Sequence, residues 1–184
     1  MPYLHAINIH APTLLFVDTE LTGFELDKEI IEIGYVKVDS TTMAVLEEGV
    51  MKLLPEHIER ANSEALAING YDAALWKKKG MPQSDGLRRF AEIAQGTLLV
   101  GHNISFDWMH IVSNFERHGI VPPFFYKPLD TFSMAWQKLR GAAAFERFSL
   151  EELARHFGVD RGTAHRALDD ARTTFAVFKK LIEL

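Results

Sequence analysis

The polypeptide has no cysteine among its 184 residues. Disulfides, a thiol nucleophile and thiolate metal sites are therefore excluded, and any metal must be held by oxygen or imidazole. No apolar run approaches the roughly 20 residues needed to cross a bilayer, and no basic segment leads into an apolar stretch as in a signal peptide. The expectation is a soluble, cytoplasmic protein with no membrane association. Positive charge is also short: 20 Lys and Arg stand against 25 Asp and Glu, a formal net charge of -5. Nucleic-acid binding through an overall positive field is thereby disfavoured, although a local patch or bound cations can supply positive charge where a phosphate sits. Internal repeats and low-complexity tracts are absent.

What is present reads as one globular domain, with 47% hydrophobic and 24% charged residues and length enough for a substantial core. Residues 1–12, "MPYLHAINIHAP", carry two prolines and no sustained period, and read as an N-terminal extension; the domain runs over 13–184. Apolar and alternating stretches predict strands at Leu14–Asp18, Glu29–Val38 and Met43–Leu54, joined by short turns as an antiparallel meander. Two shorter strands are expected at Thr97–Gly101 and Leu129–Asp130. Helical signals fill the remainder: short pieces within Pro55–Gly80 broken at Asn69-Gly70, then Gln83–Gln95, Ile104–His118, Thr131–Leu139, a helix capped at Ser149 and ended by Gly158, and a terminal helix over Thr163–Leu184. The pattern predicts an α/β fold, a mixed five-stranded sheet with helices packed against it.

Three acidic motifs interrupt this regularity. In "FVDTELTG" an apolar strand ends in Asp18 and Glu20, two apart and so on the same side of the strand, where like charge is unfavourable unless a cation or proton lies between them. In "GHNISFD" Asp107 sits in the first turn of a helix, where the helix dipole alone would favour it, yet on the core-directed edge of the face formed by Ile104, Trp108, Ile111 and Phe115. In "HRALDDARTTF" the inward face runs through Ala167, Ala171, Thr174, Phe175, Phe178, Leu181 and Ile182. Asp170 shares the row of Thr174 and Val177 and should face the protein; Asp169, in the row of Thr173 and Lys180, should face solvent. A buried carboxylate needs a partner, and Arg172 is the arginine near enough in sequence to bend back. His165 lies too far around the helix to share Asp170's face and must stand at the helix start or in the preceding loop. Four inward carboxylates without thiols suit Mg²⁺ or Mn²⁺, and a pair of such ions serves in-line phosphoryl displacement, with a nearby histidine as general base.

The order D-x-E after a strand, H-N-x-x-F-D opening a helix and H-x-x-x-x-D on the terminal helix resembles the DEDDh group of 3′-5′ exonucleases, the DnaQ-like family that includes RNase T and has a ribonuclease H-like fold. The resemblance implies that residues 13–184 form an exonuclease domain with helices on both faces of the sheet. It implies that Asp18, Glu20, Asp107 and Asp170 hold two Mg²⁺ or Mn²⁺ ions, that His165 deprotonates the attacking water, and that Thr19, Leu21, Thr22, Asn103 and Phe106 border the terminal nucleotide. The expected reaction is release of nucleoside monophosphates from 3′ ends of single-stranded DNA or RNA, DNA favoured. An exoribonuclease of RNase T or oligoribonuclease type is the alternative, and a non-catalytic nucleic-acid-binding domain a weaker one, since a binding module has no use for buried like charges. Free-standing relatives include homodimers, and others associate with a polymerase. Where many members read E-T-T-G, this chain has Glu20-Leu21-Thr22-Gly23.

Overall fold

The computed structural model describes residues 13–142 and 145–184; the expected extension over 1–12 lies outside them. Strand β1 (Thr13–Leu21) pairs antiparallel with β2 (Ile30–Asp39), and β2 pairs antiparallel with β3 (Val45–Leu54). Two-residue strand β4 (Met81–Pro82) lies parallel to the end of β3, while β5 (Leu98–Gly101) and β6 (Leu129–Asp130) extend the sheet in parallel beyond β1. The order is β4-β3-β2-β1-β5-β6. The meander and the two later strands stand as the sequence predicts, but the sheet has six strands rather than five. The extra strand, β4, is only Met81 and Pro82; it carries no alternation, and its proline is tolerated because it lies at the sheet edge.

The central strand reads as an unbroken apolar run because both its faces are covered. Leu15, Val17 and Leu21 pack with Leu87, Phe90, Ile111 and Phe115, which belong to α3 (Gln83–Ile93) and α4 (Ser105–Arg117). On the opposite face Leu14 and Phe16 meet Ala171, Phe175 and Phe178 of α7 (Ala167–Ile182), with the Phe16 ring 4.9 Å from Phe175 and 5.2 Å from Phe178. Behind α7 a third layer, α5 (Thr131–Leu139) and α6 (Leu150–Phe157), packs through Ala135, Leu150, Leu153, Val177 and Leu181. Helix α6 carries the expected capping box between Ser149 and Glu152, and Gly158 ends it at φ 65°. The Pro55–Gly80 region forms α1 (Ser63–Asn69) and α2 (Ala73–Lys79), separated at Gly70.

The first turn of helix α7 lies directly against Gly34 of β2. A Cβ there would lie 2.0 Å from the Ala167 carbonyl carbon, so only glycine admits the first turn of α7. Gly34 is the β2 residue directly opposite Asp18. On α7 the predicted inward face holds, except that Ile182 is exposed and Thr173 is buried: the Thr173 hydroxyl donates to the Asp169 carbonyl at 2.7 Å, which lets a polar residue occupy the rim of the packed face. Among the described residues no helix is long and apolar enough to cross a membrane.

Candidate active site

Strands β1, β5 and β6 run parallel and end at one edge of the sheet. Side chains placed just beyond the carboxyl ends of such strands converge, and the acidic motifs meet there. β5 pairs with β1 only as far as Phe16, which leaves the next part of β1 without a strand on that side. Asp107, in the first turn of the helix that follows β5, fills the gap. Its Oδ1 accepts from the Thr19 backbone N–H at 2.9 Å and from the Thr19 hydroxyl at 2.6 Å. Its side chain, 6% exposed, is thus accounted for by hydrogen bonds rather than by the helix dipole alone.

Asp18 and Glu20 lie on the same side of β1 as Phe16, the side of α7. Asp170, 5% exposed, projects from the first turn of α7 toward them. One oxygen atom each of Glu20 and Asp170 and one ring nitrogen of His165 lie within 4.8 Å of one another. His165 stands in the turn before α7 at φ 59°, an αL conformation uncommon for a residue with a Cβ, and its side chain is exposed. The backbone N–H of His165 donates to Asp170 Oδ2 at 3.0 Å. The same carboxylate that faces the cluster therefore also holds the histidine turn in place. Asp169 turns away, accepting from the Thr163 N–H at 3.1 Å.

Burial raises the pKa of all four carboxyls, and mutual repulsion adds to the rise at Asp18 and Glu20. Desolvation raises the Asp18 carboxyl well above the usual carboxylate range, and the neighbouring Asp107, Asp170 and Glu20 raise it further. Glu20 is pushed up to about 8, first by burial and then by Asp170, Glu32 and Asp107. Asp107 rises to about 6 through burial, held back by its bonds from Thr19. Asp170 is raised by burial and held back by Arg161 and the His165 N–H. The arginine beside Asp170 is Arg161, with its Nη2 at 3.3 Å from Asp170 Oδ1. Arg172, the partner considered from sequence, instead reaches Glu48 and lies 3.6 Å from Asp169, because its position on α7 directs it to the β3 side of the sheet. Arg161 accounts for the burial of Asp170, and Arg166 acts on Glu20; two guanidinium groups do not neutralise four carboxylates. The Arg161 Nε is itself buried without a hydrogen-bond partner. The donor set, all carboxylate oxygen with one imidazole, fits hard divalent cations of the Mg²⁺ or Mn²⁺ type.

Beside the cluster opens a cavity of about 240 Å³ lined by Thr19, Glu20, Leu21, Gly23, Phe24, Phe106 and His165 from the motif regions and by Ala65, Ile68 and Asn69 from α1. Of the predicted substrate-contact residues, Thr19, Leu21 and Phe106 line it. Thr22 and Asn103 do not: the buried Thr22 hydroxyl accepts from the Glu29 N–H at 2.9 Å, and Asn103, at φ 58°, donates its N–H to Asp130 Oδ1 at 2.8 Å. The α1 residues were missed individually, because a seven-residue helix of mixed polarity carries no chemical motif. Asn69 ties that wall to β1, donating to the Leu21 carbonyl at 2.9 Å, while the Asn69 carbonyl accepts from Arg166 at 3.1 Å. Behind Phe106 the buried ring of His110 lies 4.6 Å away with neither nitrogen hydrogen-bonded, and burial lowers its pKa.

The RNase T family model, described as an exonuclease, matches residues 15–178. The chain is 27% identical over 184 residues to DNA polymerase III subunit epsilon of Aquifex aeolicus, covering 96% of this chain and 83% of that protein. It is 30% identical over 171 residues to the PolC-type DNA polymerase III of Caldanaerobacter subterraneus subsp. tengcongensis, covering 90% of this chain but only 11% of that much longer one. Among solved structures, exonuclease I superposes with TM-score 0.79 at 23% identity over 93% of this chain and 40% of its own. E. coli exonuclease I in complex with a dT13 oligonucleotide gives the same TM-score at 22% identity, over 92% of this chain and 40% of that one. At these identities the structural likeness speaks for the fold, which is that of exonuclease I.

Proposed function

The chain belongs to the RNase T exonuclease family, and on that premise we propose that it trims single-stranded nucleic acid from the 3′ end, DNA in preference to RNA, releasing nucleoside monophosphates. The observation that carries this reading is the meeting of Glu20, Asp170 and His165 within 4.8 Å beside Asp18, with a cavity of about 240 Å³ opening along the same edge. DNA is favoured because the relatives named above are a DNA polymerase subunit and an enzyme seen with a dT13 oligonucleotide.

In this reading Asp18, Glu20, Asp107 and Asp170 hold two Mg²⁺ or Mn²⁺ ions. Bound there, such ions would polarise the scissile phosphate and stabilise the leaving oxygen. The chain's own residues do the rest. Thr19 and Leu21 form one wall against the terminal nucleotide, and Phe106 offers its ring to the base. His165, exposed at the mouth and clamped through its N–H by Asp170, takes the proton from the attacking water. Asp107, fixed by two bonds to Thr19, keeps the end of β1 in register with the cluster. The likeness to an epsilon subunit further supports association with a polymerase.

The test uses 5′-labelled single-stranded DNA and RNA of matched sequence, incubated with Mg²⁺, with Mn²⁺ and with chelator, beside an Asp18→Ala control. The expected result is stepwise shortening of the DNA from its 3′ end, abolished by chelator and by Asp18→Ala, with slower loss from the RNA. Failure to shorten either strand, or an Asp18→Ala protein that cuts as well as the parent, overturns the mechanism. RNA trimmed faster than DNA would reassign the chain to the exoribonuclease alternative.

A further inference from the structure

Helix α5 begins where β6 ends, at the same sheet edge as the carboxylates. Register places Phe16 beside Val100 and Gly101 beside Asp130, so the end of β5 stands between β1 and the start of α5 at Thr131. With neighbouring strands about 4.8 Å apart, the start of α5 lies roughly 10 Å from β1. The connection is a set of side-chain contacts: His102 Nδ1 is 3.0 Å from the Thr131 hydroxyl, and the His102 ring meets the Phe132 ring edge-on at 6.4 Å.

From there Phe132, Trp136 and Arg140 follow at spacings of four and so share one stripe of the helix. Phe132 is 36% and Trp136 48% exposed, and the Arg140 guanidinium lies 5.0 Å over the Trp136 ring. Single exposed apolar residues need no explanation, but this stripe differs in three respects. Packing of α5 against α7 uses Met134, Ala135 and Leu139, so the core does not require the two aromatics. In a chain of net charge -5, α5 contains no acidic residue. The carboxylate that caps the helix, Asp130, is committed to the N–H groups of Asn103, Phe132 and Ser133 and to the Ser133 hydroxyl.

Aromatic faces interleaved with a guanidinium bind single strands by stacking bases and pairing phosphates. We propose that the Phe132, Trp136 and Arg140 face is a stacking track for the single strand that leads into the cleft, carrying the nucleotides upstream of the 3′ terminus. The inference rests on the exonuclease reading for the position of that terminus, and on the stripe itself for the track.

The test measures binding apart from cleavage. In Asp18→Ala protein with chelator, a 20-nucleotide dT strand is titrated while tryptophan emission is followed; Trp76 is buried and Trp108 packs against the core, so Trp136, the most exposed of the three tryptophans, is placed to report stacking. The expected result is quenching by the strand, an affinity lowered about tenfold by Trp136→Ala, a smaller loss in Phe132→Ala and Arg140→Gln, and recovery in Trp136→Tyr, which restores a π face. In the otherwise unaltered protein, Trp136→Ala should also shrink the KM advantage of a 20-nucleotide strand over a trinucleotide, whereas Gln137→Ala on the same helix should not. A Trp136→Ala protein that binds the 20-nucleotide strand within twofold of its parent overturns the track. So does a parent dimer, seen by sedimentation, that Trp136→Ala splits without changing strand affinity, since the face would then be a protein contact. Cleavage by the unaltered protein is scored separately, so its absence overturns the exonuclease reading without deciding the binding result.

Discussion

Replacing Gly34 with alanine perturbs the site without touching any of its ionisable groups. The added Cβ would lie 2.0 Å from the Ala167 carbonyl carbon and 2.2 Å from the Leu168 nitrogen, against 3.4 Å where ordinary contact begins. Both obstacles are backbone, so no side chain can swing aside; the first turn of α7 must retreat by about 1.4 Å or β2 must give way. Asp170 lies three residues beyond Ala167 and His165 two before it, so both move with that turn. Displacements of about 1 Å cost on the order of 100-fold in rate where reacting groups must be held in place. Overpacking of this kind costs about 1–3 kcal/mol, and 2 kcal/mol corresponds to a melting-temperature drop of about 4–8 °C for a chain of this length. The expected outcome is therefore a folded Gly34→Ala protein, melting several degrees lower, whose rate of 3′-end trimming has fallen far more than its stability explains. Gly141→Ala, whose Cβ would meet nothing within 4 Å, serves as the neutral comparison. A Gly34→Ala protein that trims within twofold of the parent refutes the argument that α7 is seated by this glycine.

Three further outcomes are expected. Because the Glu20 carboxyl is raised from 4.5 to about 8, the metal-free folded state holds a proton that the unfolded state has released; stability in chelator should fall as pH rises from about 4.5 to about 8, and thermal melts of Glu20→Gln should show a flatter slope and a higher melting temperature at pH 8. Arg161 pairs with Asp170 at 3.3 Å and would compete for it with the divalent cation proposed there, so Arg161→Gln should melt lower than the parent in chelator yet gain more on adding Mn²⁺, as read by melting and by calorimetric titration of the metal. Asn69→Ala removes the donor to the buried Leu21 carbonyl, a loss of about 1–3 kcal/mol, and should raise KM for short strands more than it lowers kcat; an unchanged KM would show that α1 does not border the substrate.

Much of this arrangement was readable from the sequence wherever the physics is local. The apolar run of β1, the Ser149 capping box and the preference for Asp170 over Asp169 each follow from periodicity or from a hydrogen bond closed within a few residues. What the sequence did not show depends on contacts between distant segments. Strand β4 exists only because the end of β3 offers it a partner. Arg161 reaches Asp170 across the loop preceding α7, where no helical periodicity indicates direction. Thr22 and Asn103 sit inside their motifs, yet the Thr22 hydroxyl accepts from the Glu29 N–H and the Asn103 N–H donates to the Asp130 carboxylate, and neither residue lines the cavity. The wall supplied by Ala65, Ile68 and Asn69 has no motif at all.

The shortness of β5 has a consequence for anyone who would rebuild this site elsewhere. Three more residues of pairing would have completed the ladder beside Thr19 and strengthened the sheet, and would have evicted Asp107 in doing so. A designer copying the four acids onto a regular, fully paired sheet would find one of them homeless. The blueprint to transplant is the missing rung, with the side chains specified afterwards.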